Sequence, residues 1–201
     1  LVNLTYLDLE DNQVRDLSPL ANLTSLTHLN LHENQISDIS PLSNLVNLTY
    51  LSLGENQITN LRTLSNLTNL ESLHLSGNPI INISSLSGLT NLTELYLSSN
   101  RISDIISLSN LSNLTYLDLE NNPLTDSAES IIRILQNNQT TVQYNPIPTA
   151  LVVKIPDVNL RYQIEQVLSK DSGASLGDIL GEAFDKSSEK QDDEIIEENK
   201  E

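Results

Sequence analysis

Six asparagines, Asn12, Asn34, Asn56, Asn78, Asn100 and Asn122, stand 22 residues apart without a slip. Each closes the same phrase, L-x-x-L-x-L-x-x-N-x-I/V, read most cleanly from Leu4 to Val14. A fixed period of this size restricts the chain to a solenoid, because each unit is one turn of a coil that cannot bury its leucines alone. Within a turn, Leu7 and Leu9 alternate with Tyr6, Asp8 and Glu10, the two-residue period of a strand with one face buried. The equivalent leucines of later turns, from Leu29 and Leu31 to Leu117 and Leu119, then stack as a parallel sheet with strands about 4.8 Å apart. The asparagine amide carries donors and an acceptor, so a column of them can satisfy backbone groups at the turn after each strand.

The return leg, clearest from Ile36 to Leu42, is too short for a full helix and predicts a turn or a 3₁₀ segment. The expected fold is an α/β solenoid with a parallel concave sheet and short 3₁₀ segments on the convex side. The units from Asn34 to Leu45 and from Asn66 to Leu70 resemble the 22-residue leucine-rich repeats of bacterial internalins and related surface proteins. The resemblance covers residues 1–125, six units. It implies an extracellular or cell-surface location. Two departures are visible. The Ser-Pro pair of Ser18–Pro19 and Ser40–Pro41 is lost at Thr63, Ser85 and Ser107, and the Asp that precedes it becomes Asn60 and Asn82. Both read as drift within a scaffold.

The 201 residues carry a formal net charge of −17 and include no Cys, Met or Trp. Residues 1–150 hold 14 acids against 4 bases, and residues 151–201 hold 13 against 6. Acidity spread this evenly excludes nucleic acid and anionic lipid as ligands, since either needs clustered Lys or Arg. A protein with a basic patch fits best, and a neutral carbohydrate second. No stretch reaches the ~18 apolar residues of a membrane span, so no membrane insertion is expected. Leu1 is in phase with Leu23, Leu45, Leu67, Leu89 and Leu111, so the sequence opens in mid-repeat. We expect a fragment whose N-terminal cap is absent.

The seventh unit departs from the pattern. Asp126 to Glu129 reads as a capping box, and Ile131, Ile132 and Leu135 form an apolar stripe at helical spacing. Thr140 to Tyr144 reads as a last strand. Residues 126–146 resemble the terminal unit of many bacterial leucine-rich-repeat arrays and are expected to cover the final leucine layer. Asp157 opens a second capped helix with an apolar face at Leu160, Ile164, Val167 and Leu168. It resembles the helix that opens such domains, so residues 147–184 are expected to be a linker and capping-type helix of a further domain. Residues 185–201, with eight acids and three lysines, bury too little to offset ordering and are expected to be disordered or a marginal helix.

The outward strand positions form the candidate site: Tyr6, Asp8, Glu10, His28, Asn30, His32, Tyr50, Ser52, His74, Glu94, Tyr96, Tyr116, Asp118 and Glu120. With the neighbouring Asp11, Glu33 and Glu55, this face holds all three histidines, four of the six tyrosines and eight acids, but no Lys or Arg. Tyrosine joins a large apolar face to a polar tip, which suits recognition. Strands favour tyrosine in any case. The core, however, uses Leu and Ile, so these rings are not needed for packing. We expect Tyr6, His28, Tyr50, Tyr96 and Tyr116 to anchor a protein ligand while the carboxylates select a basic patch.

Catalysis is not expected. His28 and His32 lie roughly 13 Å apart at strand rise, too far to share a metal, and His74 is two strands away from His28. Glu10 beside His32 reads as an ion pair. Ser52 beside His74 has no evident oxyanion hole, and no glycine-rich phosphate loop occurs. No cofactor is implied. Sequons at Asn3, Asn22, Asn47, Asn66, Asn82, Asn91, Asn110, Asn113 and Asn138 follow from duplication of Asn-Leu-Thr rather than from glycan attachment. The favoured reading is a protein-binding receptor or adhesin segment at a bacterial surface. The alternatives are a structural spacer of a larger surface protein and a cytoplasmic regulatory scaffold.

Overall fold

The computed structural model describes residues 3–147. Seven strands of three residues form one parallel sheet in sequence order: β1 (Tyr6–Asp8), β2 (His28–Asn30), β3 (Tyr50–Ser52), β4 (Ser72–His74), β5 (Glu94–Tyr96), β6 (Tyr116–Asp118) and β7 (Thr141–Gln143). From β1 to β6 the register advances by one repeat at every step, so Tyr6 faces His28 and His28 faces Tyr50. The return legs are 3₁₀ segments at Ser18–Leu20, Ser40–Asn44, Arg62–Asn66, Ser84–Leu86 and Ile106–Leu108, as their length requires. One α-helix, α1 (Ser127–Asn137), precedes β7.

Every turn contributes the same apolar set to one continuous core. In the second and third units Leu29, Leu31, Ile36, Leu42, Leu45, Leu48, Leu51 and Leu53 are all 0% exposed. Each such side chain contributes ~1.5–3 kcal/mol when fully buried, but only because turns on both sides exclude water. Leu4, Leu7 and Leu9, in the first described turn, are partly buried against that core. At the other end Ala128, Ile131, Ile132 and Leu135 of α1 are buried, so the apolar stripe covers the last layer as expected.

The asparagine ladder does more than cap a turn. The Asn78 amide donates to Leu53 O at 3.0 Å in the preceding turn and to Leu75 O at 3.1 Å in its own. Its Oδ1 accepts the Ile58 N–H at 2.9 Å. Asn34, Asn56, Asn100 and Asn122 repeat this three-way link, and the first three of these are buried. Asn12 makes only local bonds, to Leu9 O and Glu10 O, and is exposed. The residue before each asparagine takes a left-handed backbone, from φ 51 at Glu33 and Glu55 to φ 68 at Gly77. That bend aims the amide back into the coil.

A second ladder explains the apparent drift on the return leg. Asp16, Asp38 and Asp104 accept the backbone N–H two residues on, and Asn60 and Asn82 make the same bond at 3.0 and 2.8 Å. Either side chain starts the 3₁₀ segment, because only an oxygen at that position is needed. A third column, Asn47, Asn69, Asn91 and Asn113, donates its amides to carbonyls of the preceding turn. Three of these belong to sequons, so their amide nitrogens have a structural job, consistent with the duplication reading.

The capping box is not formed. Asp126 has helical backbone angles, φ −52 and ψ −28, and makes no side-chain cap bond. A capping side chain needs an extended backbone to turn back onto the helix N–H groups. Here the Thr125 carbonyl takes the Ala128 N–H at 2.8 Å, and Glu129 pairs with Arg133 at 3.4 Å instead. The expected helix from Asp157 and the acidic tail lie outside the described residues. No helix among the described residues is long and apolar enough to cross a membrane.

Two outcomes test this frame. Asn78→Ala strands buried backbone groups in two turns, each worth about 1–3 kcal/mol, and should cost about 3–5 kcal/mol in urea unfolding. Asn12→Ala should cost about 1 kcal/mol or less, because water replaces its partners. The second outcome concerns acid. The Ser18 hydroxyl and N–H hold the Asp16 carboxyl below its ordinary 3.8, and the Ser40 N–H and hydroxyl do the same for Asp38. With a depressed folded value, this contribution is present above pH 3.8 and lost as the pH falls through the lower folded value. Asp16→Asn with Asp38→Asn keeps the caps, as Asn60 and Asn82 do. Its melting temperature should match the parent near neutrality and fall less steeply below pH 3.8.

Candidate functional site

The two-residue strand period turns the outward side chains away from the core, and the in-register stacking sorts them into columns. One column runs Tyr6, His28, Tyr50, Ser72, Glu94, Tyr116, and the next runs Asp8, Asn30, Ser52, His74, Tyr96, Asp118. Six rings from these two columns make one unbroken ladder. Rings directly opposite each other stack nearly parallel: Tyr6–His28 at 4.4 Å and 13°, His28–Tyr50 at 4.0 Å and 4°, and His74–Tyr96 at 4.2 Å and 13°. The ladder changes column twice, and those diagonal pairs are tilted. Tyr50–His74 are 5.2 Å apart at 47°, and Tyr96–Tyr116 are 5.1 Å apart at 40°. Tyr6, at the end of the ladder, is 55% exposed, and the other five rings are half-buried.

Burial pushes the Tyr50 phenol above its ordinary value of 10.0. Burial does the same at Tyr96 and Tyr116, with Glu94 and Asp118 adding to it. All three therefore keep their protons at neutral pH. Burial holds the His74 imidazole below 6.5, against the opposing pull of Glu94. Ser72 Oγ lies 3.1 Å from both His74 Nε2 and Glu94 Oε2. The serine has one proton and the carboxylate accepts it, so His74 must donate through Nε2–H. Ser72 thus fixes both the tautomer of His74 and the position of Glu94.

Elsewhere the polar positions are spoken for differently than their spacing suggests. Glu10 does not pair with His32: its Oε2 accepts the Asn30 amide at 2.8 Å, and His32 Nε2 lies 3.4 Å from Glu33. The reason is a lean along the coil axis. His32 lies across Gly54, where a Cβ would come within 2.6 Å of its Nδ1, and Glu55 lies across Gly77 in the same way. Asp8, Asn30 and Asp118 each accept the backbone N–H two residues on. The Glu10 N–H bond lowers the Asp8 carboxyl pKa. Asn30 and Ser52, though on this face, are only 9% and 4% exposed. Spacing placed Ser72 and Glu33 on this face but did not show that they bond to Glu94 and His32. Their signal is register, since Ser72 stands directly opposite Glu94. No group of three His, Asp or Glu side chains among the described residues could hold a metal.

The fold has relatives. The family of leucine-rich repeats (2 copies) matches residues 2–44, 46–89 and 90–132. The crystal structure of an internalin (inlF) from Listeria monocytogenes is 40% identical with a TM-score of 0.67, over 73% of this chain and 44% of that one. Internalin C2 (inlC2) from the same organism is 36% identical with a TM-score of 0.60, over 71% of this chain and 72% of that one. A leucine-rich-repeat protein of Leptospira interrogans is 29% identical with a TM-score of 0.59, over 70% and 43%. No curated protein sequence matches. The chain spans less than half of the first of these structures and most of the second. With three matched blocks across the array and this likeness to internalin C2, the chain belongs to the leucine-rich-repeat family and is internalin-like.

Proposed function

We propose that this chain is a protein-binding module of a secreted or surface-exposed bacterial protein, a receptor or adhesin, whose open sheet face takes a protein partner carrying a basic patch. Proteins of this family are non-enzymatic interaction scaffolds. The observation that carries the reading is the six-ring ladder, because it has no packing duty. The core beneath it is already closed by leucines at 0% exposure. The rings order one another, so a partner meeting their edges and hydroxyls pays little side-chain entropy. Eight carboxylates flank them and no Lys or Arg does. Attraction of a basic partner is then long-ranged and falls with salt. The surface location rests on the likeness to internalins.

Tyr50→Ala combined with Tyr96→Ala removes one ring from each column and leaves the leucine core intact. Against a purified partner, the double variant should lose about 2 kcal/mol or more of binding, roughly 30-fold in Kd. Raised salt should slow association of the parent. Equal affinity of a folded double variant, by calorimetry, would reject the sheet face as the binding face.

A further inference from the structure

The ladder abandons its first column at one place. Down that column Tyr50 is followed by Ser72, then Glu94, then Tyr116, leaving a gap two strands wide between two rings. The displaced rings, His74 and Tyr96, wall the gap from the next column. Tyr50 and Tyr116 close its ends and meet those wall rings only obliquely. On the side of the gap, neither has an in-register ring covering its face. Glu94 stands within the gap, half-buried, with one oxygen held by Ser72 and the other accepting no hydrogen bond from the described residues.

We propose that this gap seats one arginine side chain of a protein partner, its guanidinium over Ser72, stacked on the open face of Tyr50 and paired edge-on with Glu94, with His74 and Tyr96 as the wall. The inference rests on the sheet face being the binding face and names the chemistry read at its centre. Three features select this occupant. A guanidinium is planar, so it can pair edge-on with a carboxylate while stacking on a ring, which a compact, strongly hydrated ammonium does less well. The carboxylate is already positioned through Ser72, and fixing a partner in place before binding is what makes an ion pair favourable. No competing cation stands on the face, since the four arginines of the described residues, Arg15, Arg62, Arg101 and Arg133, all lie outside the strands. The charged groups felt by the rings of the seat are Glu94 and His32 at His74, Glu94 and Asp118 at Tyr96, and Asp118 and Glu120 at Tyr116. Burial disfavours the charged form of His74.

A direct test uses the full chain and a short peptide, acetyl-Gly-Arg-Gly-amide, beside the same peptide with neutral citrulline for arginine. Followed by NMR, the arginine peptide should shift the ring signals of Tyr50, His74, Tyr96 and Tyr116 saturably, and the citrulline peptide should not. Glu94→Gln should weaken the arginine peptide roughly fivefold, the size of one partly exposed ion pair. Ser72→Ala, which frees the carboxylate, should weaken it less. Asp38→Asn, which removes the same charge from the return leg, should leave it unchanged. Equal binding of the two peptides, shifts spread evenly over the face, or an unaltered Glu94→Gln would overturn the arginine seat. The broader reading fails separately. If Tyr50→Ala with Tyr96→Ala loses the protein partner while Glu94→Gln titrates like the parent, the face binds and only the arginine seat is wrong.

Discussion

Everything in this coil depends on a buried amide that belongs to two turns at once. Each asparagine from Asn34 to Asn122 satisfies a carbonyl in the turn before, a carbonyl in its own turn and an N–H of the turn before. Aiming it requires a left-handed residue just ahead, and only Gly77 takes that backbone without strain. For Glu33, Glu55 and Ser99 the conformation costs about 1–2 kcal/mol apiece, whereas Asp11 and Asn121 adopt it more readily. Leaving two or three buried backbone groups unpaired would cost more. The strain is therefore tolerated in every repeat.

A link that rigid keeps the strands in register, and register decides what the solvent face can be. Equivalent positions of neighbouring turns sit about 4.8 Å apart, so a column of rings must stack and a column of like charges must repel. Both happen. Tyr6, His28 and Tyr50 stack almost face to face. Asp11, Glu33 and Glu55 stand in successive turns, and their exposure to water limits the repulsion. Glu55 also swings across Gly77, where the next turn has no side chain in the way.

The phase of the asparagines was enough to separate inward from outward residues, because that sorting depends on period alone. It was not enough to say where a side chain leans. His32 fills the space left by Gly54 and meets Glu33, and Glu10 takes the Asn30 amide instead. The capping box failed for a related reason. Asp126 and Glu129 have the right spacing, but the motif needs an extended first residue, and the Thr125 carbonyl had already begun the helix. The continuity of the ring ladder was hidden too, because it crosses columns at Tyr50 and again at Tyr96, where neighbours are diagonal rather than opposite.

The contrast between frame and face bears on specificity. The frame repeats closely: asparagine, leucine and isoleucine recur at the same places in every turn. A face that repeated as closely would offer a partner several equivalent registers, each one turn from the next, and binding would be degenerate. The order Tyr, His, Tyr, Ser, Glu, Tyr in one column and Asp, Asn, Ser, His, Tyr, Asp in the next removes that degeneracy. A partner shifted by one strand would carry its cation out of the seat beside Glu94, and a mispaired charge is itself a penalty. The same in-register stacking that builds the core would thus let the proposed binding face distinguish one alignment of a partner from the next.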